Sequence, residues 1–179
     1  LPLKPANSLL SVGLVTQRSS LVCWDSQTGE ALYPVISWQD RRAAQWLIEQ
    51  RLDEDEIHHR TGLRLNPHFG ASKIRWCLDN VPAVQQALSE NRLVCGPLAS
   101  FLIARLTGSN KPIVDPANAS RTLLWNTTTR SWDSDLLERF GIPAKVLPQV
   151  VTTEYPFGEI RFSRETLPLR LVNGDQSAA

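Results

Sequence analysis

The 179-residue sequence has no methionine, only three cysteines and only three histidines. Without methionine, Leu1 does not read as a translation start, and the chain reads as a piece of something longer. Cys23, Cys77 and Cys95 are odd in number and lie apart in apolar surroundings, which is the pattern of reduced core thiols in a cytoplasmic protein. His58, His59 and His68 lack metal-ligand spacing with any cysteine or carboxylate, and the adjacent pair falls on an acidic, solvated helix, so no metal site is expected of them. Charge of one sign is also lacking. Nineteen Lys and Arg against eighteen Asp and Glu leave a net charge of +1, which gives no electrostatic case for nucleic acid or an anionic membrane. No apolar run is long enough to span a bilayer, and no signal-peptide pattern is present. The phosphate cradles GxGxxG and GxxxxGKS/T are absent, as is the GxSxG elbow. The sequons Asn118-Ala119-Ser120 and Asn126-Thr127-Thr128 carry no meaning in a cytoplasmic setting.

What the chain has is length enough for a sizeable core in one domain and a change of hydrophobic period along it. Leu9 to Gln17 reads as a buried strand. Ser20 to Asp25 and Ala31 to Ile36 read as two more, joined by a turn containing Gly29, so an antiparallel meander is expected, with Pro34 placing the third strand at an edge. Helices follow at Gln39 to Leu52, at an acidic segment capped by Asp53 and stopped by Gly62, and at Ala71 to Asn80 with Ile74, Cys77 and Leu78 on one face. Two more open at Pro82 and Pro97, and Asp133 caps another that closes at Phe140-Gly141. Lys111 to Thr122 reads as a loop, and Leu123 to Asn126 as a short strand. The last strands are Phe157 to Arg161 and Leu169 to Asn173, the second running into Gly174-Asp175-Gln176 and the start of a helix.

Three features carry chemistry. Val12 to Arg42 delivers Gln17-Arg18 and Trp38-Gln39-Asp40-Arg41-Arg42 at the ends of strands. The fork of Arg18 suits an oxygen-rich ligand and equally a salt bridge, and Trp38 suits a sugar's carbon face and equally a core. Asp175, at the carboxyl end of a strand, is placed either to act as a base or to cap the helix that follows it.

Five blocks stand in order along almost the whole chain: GLVTQRSSLVCWDSQTGEALYPVISWQDRR, TGLRLNPHFGASKIRWCLDN, GPLASFLIARLTG, DPANASRTLLWNTTTRSWDSDLLERFGIP and NGDQSAA. Together they resemble the FGGY family of carbohydrate kinases, and KIRWCLDN lies close to a signature of that family. The resemblance implies an α/β fold of the ribonuclease H-like, actin-like ATPase superfamily, a mixed sheet with flanking helices. Residues 1–179 would be a partial N-terminal, sugar-binding domain, with the phosphate-contacting hairpin before Leu1 and the ATP-binding domain beyond Ala179. It further implies a parent that uses ATP and Mg²⁺ to phosphorylate a hydroxyl of glycerol or a related polyol or sugar, this fragment alone being inactive. Asp175 matches the catalytic base, near the metal-bound phosphates. Arg18, Trp38 and Gln176 match substrate contacts. Ser19 and His68 stand where glycerol-phosphorylating members carry glutamate and tyrosine, which leaves room for a larger polyol or sugar. The other reading is a non-catalytic sugar-binding or regulatory protein that kept the fold. Truncated sheet edges make a homo-oligomer a further expectation.

Overall fold

A computed structural model describes residues 11–109, 111–162 and 165–179. The start of the first expected strand, Leu9-Leu10, lies outside the described residues. Strand β1 (Val12–Thr16) pairs in parallel with β9 (Glu165–Gly174), and β8 (Glu154–Phe162) pairs antiparallel with β9 on its other side. The β1–β9 register joins Thr16 to Gly174, so the two strands end side by side.

The chain leaves β1 through a tight turn at Arg18-Ser19, and β2 (Leu21–Asp25) joins a different sheet. Its partner is β3 (Leu93–Pro97), in an antiparallel pair, so the expected three-stranded meander is not formed. Residues 31–36 do return alongside β2, but only through isolated bridges at Trp24/Ala31 and Leu21/Ile36. Pro34, in the middle of that return, has no N–H to extend a ladder. The turn before it is made by Asp25, whose carboxylate accepts from the N–H groups of Gln27 and Thr28 and pairs with Arg92.

Most helices follow their sequence punctuation. α2 (Glu54–Thr61) begins where Asp53 accepts from the N–H groups of Asp55 and Glu56, and it stops at Gly62, whose φ of 72° suits a residue without Cβ. α3 (Gly70–Asn80) buries Ile74, Cys77 and Leu78. α4 (Pro82–Ser89) and α5 (Leu98–Thr107) follow their prolines. α7 (Ser134–Arg139) is capped by Asp133. α1 is shorter than its periodicity suggests, Ala44–Glu49, because the Asp40 carboxylate accepts from the Arg42 N–H and holds residues 40–42 in a turn. Residues 111–122 are not a plain loop. They hold β4 (Ile113–Val114), which pairs with β7 (Gln149–Val150), then α6 (Pro116–Ala119) and a 3₁₀ turn. Fully buried Asp115 caps α6. β5 (Trp125–Asn126) and β6 (Ser131–Trp132) form a small hairpin.

The larger core packs α3 and α4 on β2 and β3 around Ile74, Val84, Cys95, Leu123 and Phe140. A second core, from Ala99 and Ile103 of α5 with Phe157, Leu169 and Val172, covers one face of the β1–β9–β8 sheet. Cys23, Cys77 and Cys95 are buried and free. Among the described residues no helix is long and apolar enough to cross a membrane.

Candidate functional site

The carboxyl ends of β1 and β9 meet over a small pocket of about 190 Å³ lined by Gln17, Arg18, Ser19, Trp38, His68, Arg121, Asp175 and Gln176. The structure thus brings every site residue expected from the sequence to one place, and adds Arg121. Parallel pairing is the cause: Thr16 opposite Gly174 sets the turn after β1 beside the start of α8 (Asp175–Ala178). The Arg18 guanidinium donates to the Gln176 side-chain oxygen, and its Nε lies 4.0 Å from the Asp175 carboxylate. Gly174 is the residue that permits this approach. A Cβ built there would stand 2.3 Å from Arg18 Cδ and 2.6 Å from Cγ.

Asp175 does not cap α8. Gly174 occupies the cap position, while the Asp175 side chain, about half exposed, accepts from the adjacent Gln176 N–H. Its carboxylate is therefore open to a ligand.

Trp38 forms a wall of the pocket, with its ring edge-on to His68 at 5.4 Å, and His68 is edge-on to Phe69 at 5.1 Å. The Trp38 backbone N–H donates to Ser20 Oγ. Burial, then the Lys73 and Arg121 charges, hold His68 below the usual histidine range, so its imidazole is neutral at neutral pH. Ser19 is buried with φ of 65°, a left-handed backbone uncommon for serine, and its Oγ has no hydrogen-bond partner.

Two residues that shape the pocket were not singled out by sequence reasoning. The first is Lys73 on α3, which is 1% exposed. Its ammonium donates to the carbonyl oxygens of Ser19 (3.0 Å), Ser37 (2.9 Å) and His68 (2.7 Å). One side chain thus ties together the three segments that carry Ser19, Trp38 and His68. Burial brings Lys73 down to about 8, partly offset by Asp40 and reinforced by Arg42. The second is Arg121, which follows α6 and stacks over the Phe69 ring at 4.7 Å. Its segment is anchored to β1 by a buried chain in which Thr16 donates to Asn118 and Asn118 donates to Asp115.

Asp40 and Arg42 of the early stretch are structural. Asp40 pairs with Arg42, which lies over Trp76 at 4.5 Å. A larger cavity of about 750 Å³, between Trp125, Val150, Val151 and Tyr155, is mainly apolar and has Arg130 as its one charged wall residue. It lacks the converging polar groups of a polyol site. A second cavity of about 510 Å³ adjoins the small pocket through Trp38, His68 and Arg121. Among the described residues no group of three metal-ligating side chains comes together.

The carboxyl ends of strands are where α/β proteins meet their ligands, and this polar pocket lies there. The chain belongs to the FGGY family of carbohydrate kinases, whose N-terminal domain matches residues 5–168. It is 38% identical to the glycerol kinase of Acinetobacter baylyi over 97% of its own length, and 40% identical to that of Mycoplasmoides gallisepticum over 94%. It covers 36% and 34% of those proteins, so it spans about a third of the relatives it matches. The crystal structure of Plasmodium falciparum glycerol kinase with ADP superposes with a TM-score of 0.87 at 31% identity, over 94% of this chain and 35% of that one. A xylulose kinase from Brucella ovis gives 0.78 at 26% identity, over 97% and 34%. The fold is accordingly that of the actin-like sugar kinases.

Proposed function

We propose that the protein containing this chain is an ATP- and Mg²⁺-dependent cytoplasmic kinase of glycerol or a related polyol or sugar, and that this chain supplies the substrate site and the catalytic base. The convergence of Arg18, Ser19, Trp38, His68, Asp175 and Gln176 on one small pocket supports this reading above any other observation. Arg18 and Gln176 hold substrate oxygens, and Trp38 offers its ring to the carbon skeleton. Asp175 accepts the proton of the attacking hydroxyl. Phosphoryl transfer depends mainly on positioning and charge neutralisation, and a carboxylate at the end of a paired strand is well positioned.

Magnesium is commonly held by one or two carboxylates together with substrate phosphates. The half-exposed carboxylate of Asp175 would stand near those metal-bound phosphates as the base. When bound, the metal and the nucleotide phosphates supply the transferred group and neutralise its charge. No residue of this chain is assigned to the nucleotide.

The test is ADP release by the full-length protein across a panel of polyols and ketoses, with and without Asp175→Asn. Loss of a general base lowers turnover by about 10²–10⁴-fold. Binding should largely survive in the variant, and near-normal turnover would refute the assignment.

A further inference from the structure

The substrate pocket is unbalanced in charge. Arg18 and Arg121 both face it, against the single carboxylate of Asp175. Asp175 lies at 4.0 Å from Arg18, whereas Arg121 has no ion-pair partner among the described residues. The Arg121 Nε is buried without a hydrogen-bond partner, and so is Ser19 Oγ in the same pocket. Unpaired buried donors are costly and uncommon in native proteins, and both belong to residues that line this small cavity. The adjoining cavity has the same sign: its charged wall residues are Arg41, Arg64 and Arg121. Arg64 is occupied by Asp55, while Arg41 has no ion pair among the described residues. Burial and the nearby Arg18 charge both disfavour the Arg121 cation, a strain that an anion between the two guanidinium groups would relieve.

We propose that the substrate is a polyhydroxy acid, its carboxylate seated between Arg18 and Arg121 beside Ser19 and a hydroxyl at its other end presented to Asp175. The proposal rests on the reading of this pocket as the substrate site and names the chemical class that site takes. A guanidinium presents a planar fork that a carboxylate meets with two parallel charge-assisted hydrogen bonds. An uncharged polyol satisfies the same donors but leaves two like charges facing each other. Ser19 completes the arrangement, since its hydroxyl can donate to a carboxylate where an acidic side chain would repel one.

Calorimetric titration of the full-length protein with matched pairs, D-glycerate against glycerol and D-erythronate against erythritol, tests it. The acids should bind at least about tenfold more tightly than the alcohols, and their advantage should shrink as ionic strength rises. Arg121→Met should bring the acid-to-alcohol affinity ratio down to about one. Ser19→Glu places a carboxylate inside the pocket and should reverse the preference without touching the arginine, so the test survives if Arg121→Met does not fold. Alcohols that bind as tightly as their acids, while Trp38→Ala weakens both, would overturn the charge proposal and leave the substrate site standing. Ligands whose binding is indifferent to Trp38→Ala, or no binding by any of the four, would overturn the site reading and this proposal with it.

Discussion

Replacing Lys73 by methionine keeps the length of the side chain and removes only the ammonium. Its three donors reach the carbonyls of Ser19, Ser37 and His68 at 2.7–3.0 Å, and hydrogen bonds to a charged group contribute about 1.5–3 kcal/mol each. Against that stands the burial of the charge. Lys73 lies at about 8 rather than 10.5, which corresponds to an opposing term of about 3 kcal/mol. The net loss on Lys73→Met is therefore about 2–6 kcal/mol. At roughly 2–4 °C per kcal/mol for a chain of this size, the melting temperature should fall by about 4–24 °C. A thermal melt by circular dichroism measures it.

The pH dependence separates the tie from general stability. Between about pH 8 and about pH 10.4 the unfolded chain holds the Lys73 proton while the native chain releases it, so stability owed to this group rises with pH in that window. A neutral amine, however, has two N–H donors for three carbonyls. Polyol binding should therefore weaken as pH passes about 8, with no matching loss of stability on this residue's account. His68, Asp40 and Arg42 also face Lys73. His68 is already neutral in this window, and the Asp40–Arg42 pair stays charged. A Lys73→Met variant that melts and binds like the wild type, or binding that stays flat from pH 7 to pH 10, would refute the argument.

Two further substitutions probe the frame. Gly174→Ala places a Cβ against Arg18 Cγ and Cδ, near the root of that side chain, so Arg18 must leave Gln176; ligand affinity measured by calorimetry should drop by about tenfold or more, the loss of one charge-assisted contact. Asp133 is nearly buried and accepts from the Asp135 and Leu136 N–H groups, from Arg60 and from Asn126. Burial alone would raise its pKa, but Asn126, the Leu136 N–H and Arg60 outweigh this and lower it. Its stabilisation is thus present above the ordinary carboxylate pKa and lost as pH falls below it. Asp133→Ala should cost about 2–4 kcal/mol in urea melts at neutral pH and much less near pH 2.

What was legible in the sequence was local. Asp53 and Gly62, or Asp133 and Gly141, mark the ends of α2 and α7 within a few residues of one another, so the helices they bound could be read directly. Strand pairing is not local. β1 takes its partner from the far end of the chain, and nothing near Val12 announces Leu169. The alternation of Ser20 to Asp25 correctly indicated a strand, but periodicity does not say which neighbour a strand chooses. The same holds for the site. Arg18 and Asp175 were legible through the resemblance, whereas Arg121, between Ser120 and Thr122 in a stretch that reads as a loop, has no local mark. Lys73 did leave a signal: it lies four residues before Cys77 and next to Ile74, on the buried face of α3. A lone lysine on the apolar side of a helix requires buried acceptors, and here they are the main chain of the site itself.

That main chain is also where the fold departs from its easiest conformation. Ser19 has a φ of 65°, where glycine or asparagine would rest with less strain. The turn there has two tasks. Its carbonyl must face Lys73, and its side chain must face the pocket between Trp38 and Arg121. A glycine would relieve the backbone but remove the hydroxyl. A residue in the ordinary β region would keep a hydroxyl and turn the carbonyl away from the ammonium. Strain of roughly 1–3 kcal/mol in such a residue persists only where the surroundings fix it, and the bond to Lys73, itself buried and fully used, is the fixing contact. The unpartnered Ser19 Oγ is therefore held in place by the same side chain that positions Trp38 and His68, and the pocket is set before any ligand arrives.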